Sequence, residues 1–158
     1  MMREDKIRRV PMLISAFVAL ALAGIPVPSF LDQLRPDFLV LVVFYWSIES
    51  PRAGGLALAF FGGLALDVIN GVVLGQHALA LTLMAAWATH LRLRLRVFSV
   101  LSQSLTIFML LTLYQFILFW IDGATGNPVV NYGRWLAPLV GAVIWPILSA
   151  TLSRMRER

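Results

Sequence analysis

Six apolar stretches, separated by short polar ones, run along the chain. A helix of about 20 apolar residues is long enough to cross the hydrocarbon core of a bilayer. The pattern therefore predicts an all-α integral membrane protein with six transmembrane helices in one bundle. The expected spans are about 10–27, 36–49, 53–74, 76–91, 98–121 and 135–152, which makes residues 1–158 a single six-helix membrane domain.

The first stretch has a second interpretation. A basic start followed by an apolar run is also typical of a secretory signal peptide, and Ala21-Leu22-Ala23 would serve as its cleavage site. The apolar run is long for a signal peptide, and further spans follow it rather than a soluble domain. The sequence thus favours an uncleaved first helix, which Pro26 and Pro28 end.

The second stretch is the shortest. Its apolar core, residues 38–48, is too short for an upright span. It crosses only if it tilts, begins inside the preceding loop or lies where protein thins the membrane, and a re-entrant segment is the alternative. The distribution of basic residues distinguishes a crossing segment from a re-entrant one, because cytoplasmic loops carry an excess of Lys and Arg.

The distribution of basic residues favours six crossings. With the N-terminus in the cytoplasm and all six stretches crossing, eleven basic residues lie on the cytoplasmic side, and only Arg35 and Arg134 lie outside. If the second stretch failed to cross, the count would be five inside and eight outside. We therefore expect both termini in the cytoplasm, with Asp67 in the outer half of the third span and loop 71–77 outside.

The third stretch, which ends in the loop before the fourth, reads GGLALAFFGGLALDVINGVVLGQH. Small side chains recur in it at every fourth position, and this small-residue stripe would let another helix approach closely. A carboxylate in hydrocarbon costs roughly 2.5–3.5 kcal/mol on insertion scales, so Asp67 is expected to face protein or water. It is either a structural hydrogen-bonding group or a residue for partner binding or transport. The stripe consists of Gly55, Ala59, Gly63, Asp67 and Gly71.

The fourth stretch runs into HLRLRLR, residues 90–96, where charge alternates with leucine. This alternation predicts an interfacial segment whose leucines dip into the membrane while its arginines reach water. A strand also fits the alternation, but so short a strand would have no sheet to join.

Composition narrows the function. Only 13% of the residues are charged, against about 25% in soluble domains, and the lack of cysteine excludes disulfides and thiolate sites. His77 and His90 fall on opposite sides in the predicted topology, so they cannot share a metal. No hydrolase turn and no phosphate loop with a lysine is present. The sequence thus predicts no enzyme, cofactor or metal. The net charge of +5 lies at chain ends and in short loops, where it sets orientation, so no nucleic acid is expected either.

A few polar side chains fall inside the apolar stretches. Asp67 and Gln115 both lie toward the outer halves of their spans, and we expect them to form a buried hydrogen-bonded pair. Together with Asn70 they make a poor ion path, so a structural role is favoured. Gln76 and His77 are expected to cap the fourth helix, and a pH-sensing role for His77 is the alternative.

Several short motifs occur in an order that resembles a known family. They are Arg35-Pro36-Asp37, Tyr45-Trp46, Leu66-Asp67-Val68, the run GVVLGQHAL at 71–79, and Tyr114-Gln115 followed by Phe119-Trp120. No one motif is diagnostic, but their order and intervals are similar to those of the rod shape-determining MreD proteins of bacteria. The resemblance extends from the basic N-terminus through the sixth span.

This resemblance implies a non-enzymatic component of the elongasome, the machinery that inserts peptidoglycan along the side wall of rod-shaped cells. It implies a place in the bacterial inner membrane and an MreC-like membrane-anchored partner. MreB, RodA and an elongation-specific penicillin-binding protein are the further members of that assembly. The family is also similar in fold to the S-subunits of energy-coupling-factor vitamin transporters.

We expect the transmembrane helix of the MreC-like partner to dock on the small-residue stripe or on the first span, where Ala19 and Ala23 form a small-residue pair. Asp67 and loop 71–77 would shape the outer end of that site. The competing class is a small-molecule-binding membrane subunit of a vitamin transporter. Its pocket groups would come from Asp32, Asp37, Gln76, His77 and Asn127.

Overall fold

A computed structural model describes the backbone of residues 2–126 and 132–158, and the side chains of residues 9–52, 54–126 and 132–158. Within these residues the chain is helical, with no strand. The helices are α1 (Met2–Gly24), α2 (Ser29–Asp32), α3 (Phe38–Glu49), α4 (Gly55–Asn70), α5 (Gln76–Val97), α6 (Val100–Ala124) and α7 (Ala137–Glu157). Two 3₁₀ turns, Pro51–Ala53 and Tyr132–Trp135, precede α4 and α7.

Helix α3 lies at the centre of the bundle. Every residue from Leu39 to Ile48 is buried, and α3 contacts α1, α4, α5 and α7. A helix that is apolar on all sides is a core helix, so the second apolar stretch has the composition of a helix surrounded by others. Its 12 residues extend only about 18 Å at 1.5 Å per residue. The polar residues before it, Arg35 and Asp37, lie beside side chains of the surrounding helices.

Helices α4 and α5 form a tight antiparallel pair. Gly71, with φ +64°, ends α4 in the left-handed conformation that glycine adopts without strain. The helix therefore stops at Asn70, four residues before the predicted end of the third span. The five residues that follow turn the chain back along α4.

Helix α5 continues without a break through residues 90–96, so the strand alternative for this segment is wrong, and its place at the membrane surface stays a prediction. Leucine and arginine are both strong helix formers, and the end of this segment is held against the bundle. Leu95 is buried, and Gln103 Nε2 donates a 2.7 Å hydrogen bond to its carbonyl. The alternation of leucine and arginine thus occurs within a helix that ends at Val97.

Two segments, Val100–Ala124 and Tyr132–Glu157, are long and apolar enough to cross a membrane by themselves. Three shorter apolar helices accompany them: Arg9–Gly24, Phe38–Glu49 and Gly55–Asn70. This is the architecture of a helical membrane protein. The number of six crossings stays a prediction, although α1, α3, α4, α5, α6 and α7 coincide with the six predicted spans to within a few residues at most ends.

Candidate functional site

The small-residue stripe of α4 faces the interior of the protein. A Cβ on Gly63 would lie 2.4 Å from the Ala78 Cα of α5, and a Cβ on Gly55 would lie 3.2 Å from Ser47 of α3. Ala59 is fully buried. The stripe is therefore filled by helices of the same chain, and Gly71, at its end, is exposed and serves as the helix cap. This geometry supports a structural role for the stripe.

Asp67 is completely buried and joins α4 to the start of α5. Its carboxylate accepts 2.8 Å hydrogen bonds from the backbone N–H groups of Gly75 and His77, and His77 Nδ1 lies 2.8 Å from Asp67 Oδ1. The first N–H groups of a helix lack partners within that helix and carry positive partial charge. Asp67, on α4, thus caps the N-terminal end of α5. This contact favours the structural role among the two that the sequence left open for Asp67.

The expected pair of Asp67 and Gln115 is not formed, and that prediction is wrong. Gln115 Nε2 donates a 3.0 Å bond to Asp37 Oδ2, and Gln115 Oε1 accepts a 3.3 Å bond from Arg134 Nε. Gly75, at the end of the loop after α4, and His77, in the first turn of α5, supply the donors to Asp67. Gln115 consequently finds its partners in the loops that precede α3 and α7.

Asp122, at the end of α6, extends this network to Gln76. Gln76 Nε2 donates a 2.5 Å bond to Asp122 Oδ1, and Arg134 NH1 lies 2.7 Å from Asp122 Oδ2. All three side chains are largely buried. Sequence reasoning missed Asp122 and treated Arg134 only as an orientation charge. Buried amides need hydrogen-bond partners, so Gln115 and Gln76 are the signals in the sequence that polar groups such as Arg134 and Asp122 lie near them.

The network borders a polar cavity of about 230 Å³. Helices α1, α3, α4, α5, α6 and α7 and the loop before α3 contribute to its wall. Of the pocket groups predicted from sequence, Asp32, Asp37 and His77 line the cavity. Gln76 does not line it and is connected to the lining residue Arg134 through Asp122. Asn127 is outside the residues that the structure describes.

An apolar groove of about 320 Å³ opens between α1 and α7. At its floor, Trp46 Nε1 donates a 3.0 Å bond to Ser15 Oγ, and Ser15 Oγ donates a 2.9 Å bond to the Met12 carbonyl, so the polar groups there are satisfied. Ala19 is buried at the floor as well. The walls consist of aliphatic side chains, among them Ile14, Val18 and Leu22 of α1 and Ile144, Ile147 and Leu148 of α7.

The opposite end of the bundle carries an ionic cluster. Glu49, the last residue of α3, pairs with Arg96 of α5 at 3.0 Å and with Arg156 of α7. The hydrogen bond that Arg96 donates to the Glu49 carboxylate raises the pKa of the guanidinium. The C-terminal ends of α3, α5 and α7 therefore meet at one end of the molecule, away from the polar cavity.

Chemistry beyond these contacts is not evident in the described part of the chain. There, no three His, Cys, Asp or Glu side chains come together as ligands for a metal ion. His77 is engaged by Asp67, and His90 lies near the C-terminal end of the same helix. The candidate functional features of the described residues are therefore the small-residue stripe, the polar cavity and the apolar groove.

Comparison with known proteins agrees with this architecture. The chain matches the family described as "MreD: rod shape-determining protein MreD" over residues 4–155. It is 27% identical over 147 residues to the rod shape-determining protein MreD of Haemophilus influenzae, an alignment that covers 92% of this chain and 91% of that relative. No solved structure matches, so the likeness to vitamin-transporter S-subunits stays a prediction. The chain belongs to the MreD family of rod shape-determining membrane proteins, and its role is in cell shape.

Proposed function

We propose that the protein is a non-enzymatic membrane scaffold of the elongasome, which supports rod shape and lateral peptidoglycan synthesis by docking the transmembrane helix of an MreC-like partner. Membership of the rod-shape family supports the process. The observation that carries the docking step is the open apolar groove between α1 and α7.

The groove is the better of the two docking positions that the sequence left open. The small-residue stripe is closed to a partner, because Ala78 of α5 already lies against Gly63. The first span, by contrast, presents its apolar face beside α7 with no helix of this chain covering it in the described residues. Helices in lipid associate through close packing rather than through a hydrophobic drive, so a preformed groove offers a partner helix contact area that a convex surface lacks.

The proposed location is the bacterial inner membrane, with six crossings and both termini in the cytoplasm. The positions of the helix ends support this topology. Glu49, Arg96 and Arg156 meet at one end, which suits the cytoplasmic side with its excess of basic residues. Asp37, Gln115 and Arg134 meet at the other end, which is the outer side in this arrangement.

A pull-down of the tagged protein in mild detergent, followed by mass spectrometry, tests the function. Recovery of an MreC-like protein together with MreB, RodA or the elongation-specific penicillin-binding protein is the expected result. Recovery of ATPase subunits of a vitamin transporter in their place would contradict the scaffold and favour the competing class.

Groove variants locate the docking site in the same experiment. Ile147 lines the groove and is 70% exposed, whereas Val68 of α4 is 69% exposed and lies outside it. Ile147→Trp fills the groove and should abolish recovery of the partner. Val68→Trp, the matched control, should leave recovery unchanged, and equal recovery with both variants would contradict docking in the groove.

A further inference from the structure

The polar cavity has the size of a small-solute site. Its volume of about 230 Å³ would hold roughly eight water molecules at ~30 Å³ each, and lies below the ~300–1,000 Å³ typical of sites for drug-sized ligands. Its wall is built by helices from both halves of the chain. A ligand in it would be small and polar, and it would contact most of the bundle at once.

Asp37 lines this cavity, and its side chain does not cap the helix that it precedes. It occupies the N-cap position of α3, where an aspartate normally accepts a hydrogen bond from the first turn of the helix. Its carboxylate makes no capping bond and instead accepts one from the neutral amide of Gln115. Among the described residues no cation forms a direct ion pair with Asp37. His77, Arg134 and Arg35 attract its charge from a longer distance, so its oxygens can still accept a cationic group directly.

The positive charges of the cavity come from Arg35 and Arg134, which line it together with Asp37. Each guanidinium is anchored through part of its donor set. Arg35 NH1 donates a 2.8 Å bond to the Ile25 carbonyl, and Arg134 uses NH1 and Nε for Asp122 and Gln115. A guanidinium has five N–H donors, so both arginines keep donors for an anionic group.

His77 adds an oriented ring nitrogen to the same wall. Its Nδ1 faces Asp67 Oδ1, which also accepts the backbone N–H of His77. The carboxylate therefore holds the ring with Nδ1 as the donor, an arrangement that leaves Nε2 as the atom for another partner. The cavity thus combines a carboxylate without a direct ion-pair partner, two anchored guanidinium groups and a fixed imidazole.

We propose that this cavity binds a small zwitterion that carries a primary ammonium group and a carboxylate or phosphate. Asp37 receives the ammonium, and Arg35 and Arg134 receive the anion. Two sources share this chemistry: a free solute such as an amino acid or dipeptide, and the ethanolamine phosphate headgroup of a lipid. The proposal is independent of partner docking, because the groove between α1 and α7 is a separate cavity.

The test is binding to the full-length protein in phosphatidylcholine nanodiscs, measured by calorimetry and by the shift in melting temperature. The probes are alanylalanine and O-phosphoethanolamine. N-acetyl-alanylalanine, which lacks the ammonium, is the control. A charged hydrogen bond is worth about 1.5–3 kcal/mol, so acetylation should weaken binding at least about tenfold. Equal affinity for the acetylated probe, or no binding of any probe, overturns the proposal.

Variants connect the binding to the cavity. Asp37→Asn keeps an oxygen for Gln115 but removes the charge, and it should weaken both zwitterions at least about tenfold. Glu157→Gln removes the same charge from an exposed side chain in the last turn of α7, outside the cavity, so it should leave the affinity for both probes unchanged. Equal losses in the two variants overturn the assignment to Asp37.

Ala23→Leu keeps the test decisive if Asp37→Asn fails to fold. Ala23 is a half-buried wall residue, and a leucine there takes volume while every polar group remains. It should weaken alanylalanine more than O-phosphoethanolamine, whereas unchanged affinity for both overturns the site. Nanodiscs that contain phosphatidylethanolamine distinguish the lipid headgroup from a free solute. If this lipid weakens the binding of the free probes, the headgroup is an occupant of the cavity. If the lipid does not compete with the probes, the occupant is a free solute.

Discussion

The contact between α4 and α5 and the groove between α1 and α7 are both built from small and aliphatic side chains, yet one is closed and the other open. At Gly63 the two helices approach so closely that a single added carbon would lie 2.4 Å from a backbone atom. Between α1 and α7 a volume of about 320 Å³ remains. Small residues at helical spacing therefore indicate close packing without saying which helix fills the space.

Chain connectivity explains the difference. Residues 71–75 join α4 to α5, and a short connection places consecutive helices side by side at a high effective concentration. Helices α1 and α7 lie beside each other without such a short connection, and an apolar groove remains between them. Under the proposed function, we therefore expect a partner helix at the α1–α7 groove rather than at α4.

The largest expected effect is at the closed contact. Gly63→Leu should prevent α4 from packing on α5, because the clash is with the backbone of Ala78 rather than with a side chain that could move. Overpacking costs about 1–3 kcal/mol where side chains can shift, and losing the whole contact between two helices should cost more than that and more than any other variant considered below. Yield of monodisperse protein and its melting temperature measure this. Leu66→Ile in the same helix is the control, and a Gly63→Leu protein that melts like it would show that the contact is not closed.

The next effect is at Asp67. Asp67→Leu removes the acceptor of two backbone N–H groups and a histidine ring. Each lost bond to a charged group costs about 1.5–3 kcal/mol, so unfolding in detergent should require less denaturant by an amount equivalent to about 3 kcal/mol or more. Asp67→Asn keeps one acceptor oxygen and should lose less. Equal stability of the leucine and asparagine variants would contradict the capping role.

A smaller effect is expected at Gln115, which connects the loops before α3 and α7. Gln115→Leu leaves Asp37 without its amide donor and Arg134 Nε without its acceptor. We expect a loss of about 1–2 kcal/mol, because both partners keep some contact with water in the cavity. Phe116→Leu, at the exposed neighbouring position, is the control. An unchanged melting temperature for Gln115→Leu would show that the network does not hold the loops.

The smallest effect is at the open groove. Ile147→Trp alters a side chain that is 70% exposed, so the free energy of unfolding of the isolated protein should change by no more than about 0.5 kcal/mol. Denaturant unfolding of the purified protein checks this. Destabilisation as large as that of Gly63→Leu would mean that the groove is part of the core.

The sequence predicted the helices well and the contacts between loops poorly. Apolar runs and their punctuation placed the six long helices, and the low charge identified the protein class. The pairing of Gln115 with Asp37 spans 78 residues and depends on how the loops fold over the bundle. No local pattern contains that information. The same limit explains why the sequence predicts that Asp67 faces protein or water but predicts the wrong hydrogen-bond partner for it.

Residue-specific photo-crosslinking in growing cells tests the central proposal most directly. A photoreactive amino acid at Ile147, inside the groove, should crosslink to the transmembrane helix of the MreC-like protein. The same amino acid at Val68, equally exposed on α4, should crosslink to no such partner. Crosslinks from Val68 and none from Ile147 would contradict docking in the groove between α1 and α7.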